Sequence, residues 1–353
     1  MKKKLDYLDN AKNILIYGYG VEGKANFEFL EKFYSDKNIE IYDENIEKFN
    51  KKLNFNDFDV IFLSPGISKT KIKNYNGVLT SGTKIFFELL EEKDRKKIIA
   101  VVGTKGKSTT VKFTAELLGN WGKKVEIGGN FGKPLLSFFS SLDNLDYVVA
   151  ELSSYQLDLL KISPEVVLFV SFYPDHLDYH KNMEEYFKAK ANSWKYQNNT
   201  DKLFITENYT KFNKLAVEEF EKIQRKIICP ILDLNYFKED SIFRGQHFLE
   251  NFGIVKSLAE YLKISDDIFE KTCDEFETLS HRSNIINTRA GVDFVNDANA
   301  TTPEASLAGI NLFQKDLDCL ILGGQDRGYD FGQLVKRIIE LNIKVLILDS
   351  ESG

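Results

Sequence analysis

Five apolar residues in a row, Ile98-Ile99-Ala100-Val101-Val102, run directly into Gly103-Thr104-Lys105-Gly106-Lys107-Ser108-Thr109, and a helical pattern follows as far as Leu118. A short β-branched run with no polar alternation reads as a strand covered on both faces, the habit of parallel sheets flanked by helices. The glycine-rich turn between that strand and a helix offers backbone N–H groups at a positive helix terminus, a natural cradle for phosphate. Lys107 is placed to neutralise terminal phosphate charge and Ser108 to reach a magnesium ion. The common form of such a loop, G-x-x-x-x-G-K-[ST], has four residues between its glycines. Here only Thr104 and Lys105 separate Gly103 from Gly106, so the loop is a shortened variant.

A second turn of related chemistry lies near the N-terminus. Asn13 to Tyr17 reads as a strand, Gly18-Tyr19-Gly20-Val21-Glu22-Gly23 as a glycine turn, and Lys24 to Phe33 as a helix. Asp43 follows the second apolar run, Ile39 to Tyr42, at the spacing where a dinucleotide-binding fingerprint carries its acidic residue. Gly18 and Gly20 would let backbone approach a pyrophosphate, and the Asp43 carboxylate could take a ribose hydroxyl or a base N–H. The fingerprint supports a nucleotide diphosphate more firmly than NAD, and the second phosphate loop counts against a nicotinamide oxidoreductase.

A third apolar run, Val60 to Leu63, ends in Ser64-Pro65-Gly66 and completes a βαβαβ rhythm. The pattern restarts after the charged stretch Glu91 to Lys97, with further strand candidates at Tyr147 to Ala150 and Val166 to Val170. Runs at Val292 to Val295, Cys319 to Leu322 and Val345 to Leu348 mark a third α/β segment from Ser283. The expected organisation is an α/β chain with an N-terminal Rossmann-like domain (1–95), a central phosphate-loop domain (96–282) and a C-terminal Rossmann-like domain (283–353). About three strand signals fit in the last segment, so that domain is expected to be partial.

Bulk chemistry narrows the partners. A formal net charge of -6 gives no overall attraction to nucleic acid or anionic membrane, so a phosphate ligand needs a local site. The 3 cysteines, Cys229, Cys273 and Cys319, lack metal-knuckle or redox spacing, which fits a reducing cytoplasm. Lys2 to Lys4 precede no apolar h-region, and no apolar run approaches the roughly 20 residues that span a bilayer.

The pair Gly103 to Thr109 and Glu151-Leu152-Ser153-Ser154-Tyr155-Gln156-Leu157 resembles the Mur ligase family of ATP-dependent amide-bond ligases. Further matching segments run in family order: Ser64 to Ile67, Gly128 to Gly132, Pro174 to Asp178, Tyr186 to Lys190, Ser280 to Arg282 and Leu322 to Asp326. The likeness is greatest to the branch that adds D-glutamate to UDP-N-acetylmuramoyl-L-alanine in peptidoglycan precursor synthesis. It implies that ATP phosphorylates the substrate carboxylate and that the amino-acid amine attacks the acyl phosphate.

Residue by residue, the resemblance implies that Gly103, Thr104, Lys105, Gly106, Lys107, Ser108 and Thr109 hold ATP phosphates. Asn251 would lie on the adenine side, Arg282 by the phosphates and Asp297 by the ribose. Ser108 and Glu151 would share one Mg2+ ion, and His176 and Lys190 would serve a second. Lys107, Glu151, His176 and Lys190 form the implied catalytic set, with Lys190 at the position carbamylated in the family. Gly18, Gly20, Asp43, Gly66 and Asn130 would contact the UDP substrate, and Thr301 and Arg327 the incoming amino acid. A cytoplasmic monomer is expected.

Several positions depart from the family pattern. Asn299 and Arg327 stand where lysines are usual, Phe248 replaces an asparagine, and Glu22 and Glu44 replace threonines at the uracil-side turns. They leave open a Mur-type ligase for another amino acid, and a UDP-sugar-binding homologue without turnover.

Overall fold

The computed structural model describes residues 4–177, 179–238, 241–324 and 329–349. Two compact units emerge, one made of residues 1–232 and 250–272, the other of 233–249 and 273–353.

The first unit holds two parallel sheets. In the N-terminal sheet, β1 (Asn13–Tyr17), β2 (Asn38–Tyr42), β3 (Val60–Leu63) and β4 (Val78–Thr80) lie in the order β2-β1-β3-β4. The apolar run of β3 is buried along its whole length, as expected of a strand with helices on both faces. The helix Val21–Phe33 starts three residues before the position suggested by the sequence, because the glycine turn itself supplies its first turn. β4 had no counterpart in the sequence reading. The chain leaves β1 for β2 on one side, and β3 returns on the other. This makes a topological switch point whose strand ends carry Gly18 to Gly20 and Ser64 to Gly66.

The central sheet has six strands in the order β10-β9-β8-β5-β7-β6. They are β5 (Ile98–Val102), β6 (Val125–Gly129), β7 (Tyr147–Leu152), β8 (Val166–Phe169), β9 (Lys202–Thr206) and β10 (Lys226–Cys229). β5 pairs with β7 on one side and β8 on the other, so the loops after these three strands converge on one edge of the sheet. A single apolar cluster runs through both sheets, joining Ile16, Phe62 and Phe86 to Ala100, Leu152 and Phe169. The charged stretch Glu91 to Lys97 folds partly as the helix Glu92–Arg95, and Arg95 donates to the carbonyl of Ser163 at 2.9 Å.

In the second unit, β11 (Asn284–Arg289) and β12 (Val292–Asn296) form an antiparallel hairpin. Its tip, Ala290-Gly291, takes left-handed angles of 51° and 78°, as a two-residue hairpin turn of that kind demands. β13 (Cys319–Gly323), the helix Gly332–Leu341 and β14 (Val345–Asp349) form a parallel βαβ unit. The helix Pro303–Phe313 begins with proline at its first turn, and Thr302 caps it.

The phosphate-loop helix, Lys107–Asn120, is fixed by aromatic packing. Phe113 stacks on Phe252 with centroids 4.1 Å apart and meets Phe269 edge-on at 5.6 Å. Phe113 is fully buried. Phe113→Ala is expected to destabilise the fold by about 3–5 kcal/mol in denaturant unfolding; a loss below about 1 kcal/mol would mean the helix is anchored elsewhere.

Candidate active site

The turn after β5 is built to hold its shape. Gly106 sits at φ +83°, and a Cβ there would lie 2.5 Å from Asn251 Nδ2, so a larger residue would be strained there and would have to displace Asn251. That contact also brings Asn251 against the loop. Ser171, just past β8, straps the turn from below: its hydroxyl accepts from the N–H of Thr104 at 3.1 Å and of Lys105 at 2.8 Å, and donates to the carbonyl of Lys105 at 2.8 Å. The Lys107 amine folds back to donate to the carbonyl of Thr104 at 3.0 Å. Thr109 is buried in the first turn of the helix.

Glu151 ends β7 beside this loop, only 2% exposed. Ser108 Oγ donates to its Oε2 at 2.7 Å, and Asn130 Nδ2 donates to its Oε1 at 2.7 Å. Both carboxylate oxygens are therefore held, one from the phosphate-loop helix and one from the Gly128-Gly129-Asn130 turn. Among the described residues no group of three or more His, Cys, Asp or Glu side chains forms a preassembled metal cage. One hydroxyl and one carboxylate are hard oxygen donors. That set suits Mg2+, which keeps several waters and completes its shell with substrate phosphates.

Lys190 lies on the helix Met183–Ala191 and is 1% exposed. Its Nζ donates to the carbonyl of Gly103 at 2.6 Å and sits 4.7 Å from the centre of the Tyr186 ring. Burial, reinforced by the nearby Lys107 charge, holds the amine well below the ordinary lysine range, with Asp175 and Glu151 opposing. Tyr186 in turn meets Thr104 through their hydroxyls at 3.1 Å.

His176 occupies the loop beyond β8 at φ +54°. Its Nδ1 lies 2.9 Å from the Tyr155 hydroxyl, and burial lowers its pKa against the pull of Asp175. Asp175 pairs with Lys105 at 3.2 Å. Burial pushes the Asp175 carboxyl up, but Lys105 and His176 outweigh it and the net shift is downward. His180 is buried, with Nε2 at 2.9 Å from Ser154 Oγ and its ring stacked on Tyr155.

At the N-terminal sheet, Gly18 takes φ +91° and Ser64 Oγ donates to its carbonyl at 2.7 Å, tying the two switch-point turns together. Gly20 and Gly66 face open space. Asp43 is turned inward: its carboxylate accepts from the backbone N–H of Tyr19 at 2.7 Å and of Asn45 at 2.9 Å. Glu44 accepts from the Tyr17 hydroxyl and pairs with Lys71 at 2.6 Å. Glu22 accepts from Gln156 Nε2 at 2.9 Å, and burial raises its pKa.

Arg282, Asp297 and Thr301 belong to the second unit. There Asp297 accepts from the Ser283 N–H at 2.8 Å, and burial raises its pKa despite Ser283 and Arg282. Arg327 and Asp178 lie outside the described residues. Ser171, the Lys105–Asp175 pair and the Tyr155–His176 contact were not anticipated from the sequence. For Ser171 the available signal was its place just after a buried strand adjoining β5.

A phosphate cradle, a hydroxyl paired with a carboxylate and a buried amine at the ends of adjacent parallel strands are the parts of a nucleotide-dependent phosphoryl-transfer centre. The family model of the Mur ligase middle domain matches residues 101–264. The UDP-N-acetylmuramoylalanine--D-glutamate ligase of Clostridium kluyveri is 32% identical to this chain, with 96% of this chain and 80% of that protein covered. The protein of the same name from Natranaerobius thermophilus is 28% identical over 98% of this chain and 84% of its own length. The chain belongs to the Mur ligase family. Its fold is similar to that of the MurF ligase of Thermotoga maritima solved with ADP, at a TM-score of 0.59 and 15% identity over 98% of this chain and 87% of that one.

The buried amine carries a measurable stability cost. Burial disfavours the Lys190 ammonium relative to the unfolded chain, so the penalty is absent above about pH 10.4 and grows as pH falls below it. In bicarbonate-free buffer, Lys190→Met is expected to gain about 1 kcal/mol at pH 7, with a smaller gain at pH 9. Urea unfolding at both pH values checks this, and a variant less stable than the parent at both would contradict a destabilising burial of the amine.

Proposed function

We propose that this chain uses ATP to join D-glutamate to UDP-N-acetylmuramoyl-L-alanine in peptidoglycan precursor synthesis, through an acyl phosphate on the substrate carboxylate. The observation that carries the reading is the Glu151 carboxylate held between Ser108 and Asn130 at the mouth of the phosphate loop. The identity to D-glutamate ligases over nearly the whole chain supports the substrates. In this reading the loop N–H groups and Lys107 bind and orient the ATP phosphates. Ser108 and Glu151 would hold Mg2+, whose charge offsets that of ATP and the substrate carboxylate.

Lys190 is suited to carbamylation because CO2 adds only to a neutral amine, and burial favours that form. The carbamate would turn a cation into an oxygen ligand beside His176, serving a second Mg2+ ion. Gly18, Gly20, Gly66 and Asn130 are assigned to the UDP substrate, with Asp43 acting through the turn it braces. Asn251, Arg282 and Asp297 are assigned to ATP, and Thr301 and Arg327 to the amino acid. The corresponding domains are 1–95, 96–282 and 283–353, in a cytoplasmic monomer. No helix among the described residues is long and apolar enough to cross a membrane.

The test is phosphate release from ATP with Mg2+ and UDP-N-acetylmuramoyl-L-alanine, adding amino acids singly. Release that depends on D-glutamate is expected. Release with a different amino acid alone would reassign the substrate, and none with any would overturn the ligase reading.

A further inference from the structure

We infer that Asn130 is a positioning residue for the metal-binding carboxylate. The inference rests on the proposed ligase reading and adds a role for Asn130 beyond substrate contact. Asn130 Nδ2 donates to Glu151 Oε1 at 2.7 Å while Ser108 donates to Oε2 at 2.7 Å. An ionised carboxylate only accepts, so the amide's NH2 end must face Glu151. The direction of the amide is fixed by chemistry, and Oδ1 necessarily points elsewhere.

The backbone holds Asn130 in this place. Its N–H donates to the carbonyl of Glu151 at 2.8 Å. The preceding Gly129, at φ +95°, lies so close that a Cβ there would be 2.1 Å from the same carbonyl. The turn therefore rests directly on the last part of β7, and side chain and main chain of Asn130 grip one residue. The amide thereby orients the carboxylate, with Oε2 facing Ser108 and the phosphate loop. Partners of this kind orient metal ligands, and removing them commonly costs about 10–100-fold in metal affinity.

One consequence follows. The same amide would also link the two substrates: a UDP substrate that fixes Oδ1 steadies Nδ2 on Glu151, and Mg·ATP binding gains by as much as UDP-substrate binding does.

The test is calorimetric titration of ADP into the full chain without UDP substrate, once with excess Mg2+ and once with EDTA. Asn130→Ala is expected to weaken Mg·ADP about tenfold and leave metal-free ADP unchanged. Asn130→Asp, which sets a second carboxylate against Glu151, is expected to weaken it further. Unchanged Mg·ADP affinity with a raised KM for the UDP substrate would make Asn130 a substrate contact only and overturn the inference. Equal loss with and without metal would also overturn it, since it would indicate damage to the loop. D-glutamate-dependent turnover by the unaltered chain is measured separately, so failure here leaves the ligase reading standing.

Discussion

The Glu151 carboxylate is the point on which the site depends. It lies at the end of β7 next to β5, so the strand order that places those two side by side also places a carboxylate against the phosphate loop. A buried charge of this kind is tolerated only when its lone pairs are occupied. Ser108 and Asn130 occupy one oxygen each, and in doing so they draw the phosphate-loop helix and the Gly128-Gly129-Asn130 turn onto one strand end. Ser171 performs the matching task from β8. The loop is thus braced from the two strands that flank β5.

Lys190 shows the opposite economy. A buried amine beside Lys107 is electrostatically unfavourable, and burial together with Lys107 disfavours its charged form against the pull of Asp175 and Glu151. Asp175 forms its ion pair with Lys105. A site that buries an amine at such a cost is arranged for chemistry more than for stability.

Much of this was legible in the sequence. The continuous apolar runs at 98–102 and 60–63 identified buried parallel strands, and the glycines after 17 and 102 identified the turns, because such signals are local. Ser108 and Glu151 were expected to share a Mg2+ ion, and the structure joins them by a hydrogen bond. The inward turn of the Asp43 carboxylate, the hold of Asn130 on Glu151 and the Tyr155–His176 contact were not expected, since each depends on which strand ends become neighbours. Strand order is not written in any single segment. β6, β9, β10 and β11 were not singled out in the sequence, β4 escaped notice because Val78–Thr80 is too short to show a period, and the helix Val21–Phe33 began early because its first turn is made from residues that read as a loop.

The central claim is that the chain activates a carboxylate by phosphorylating it. Labelling the carboxylate of UDP-N-acetylmuramoyl-L-alanine with 18O and analysing the phosphate released during ligation tests this directly. Attack of the carboxylate on the terminal phosphorus of ATP, followed by displacement by the amine, carries a labelled oxygen into inorganic phosphate. Labelled phosphate in step with ligated product is the predicted result. Unlabelled phosphate alongside product would contradict the account.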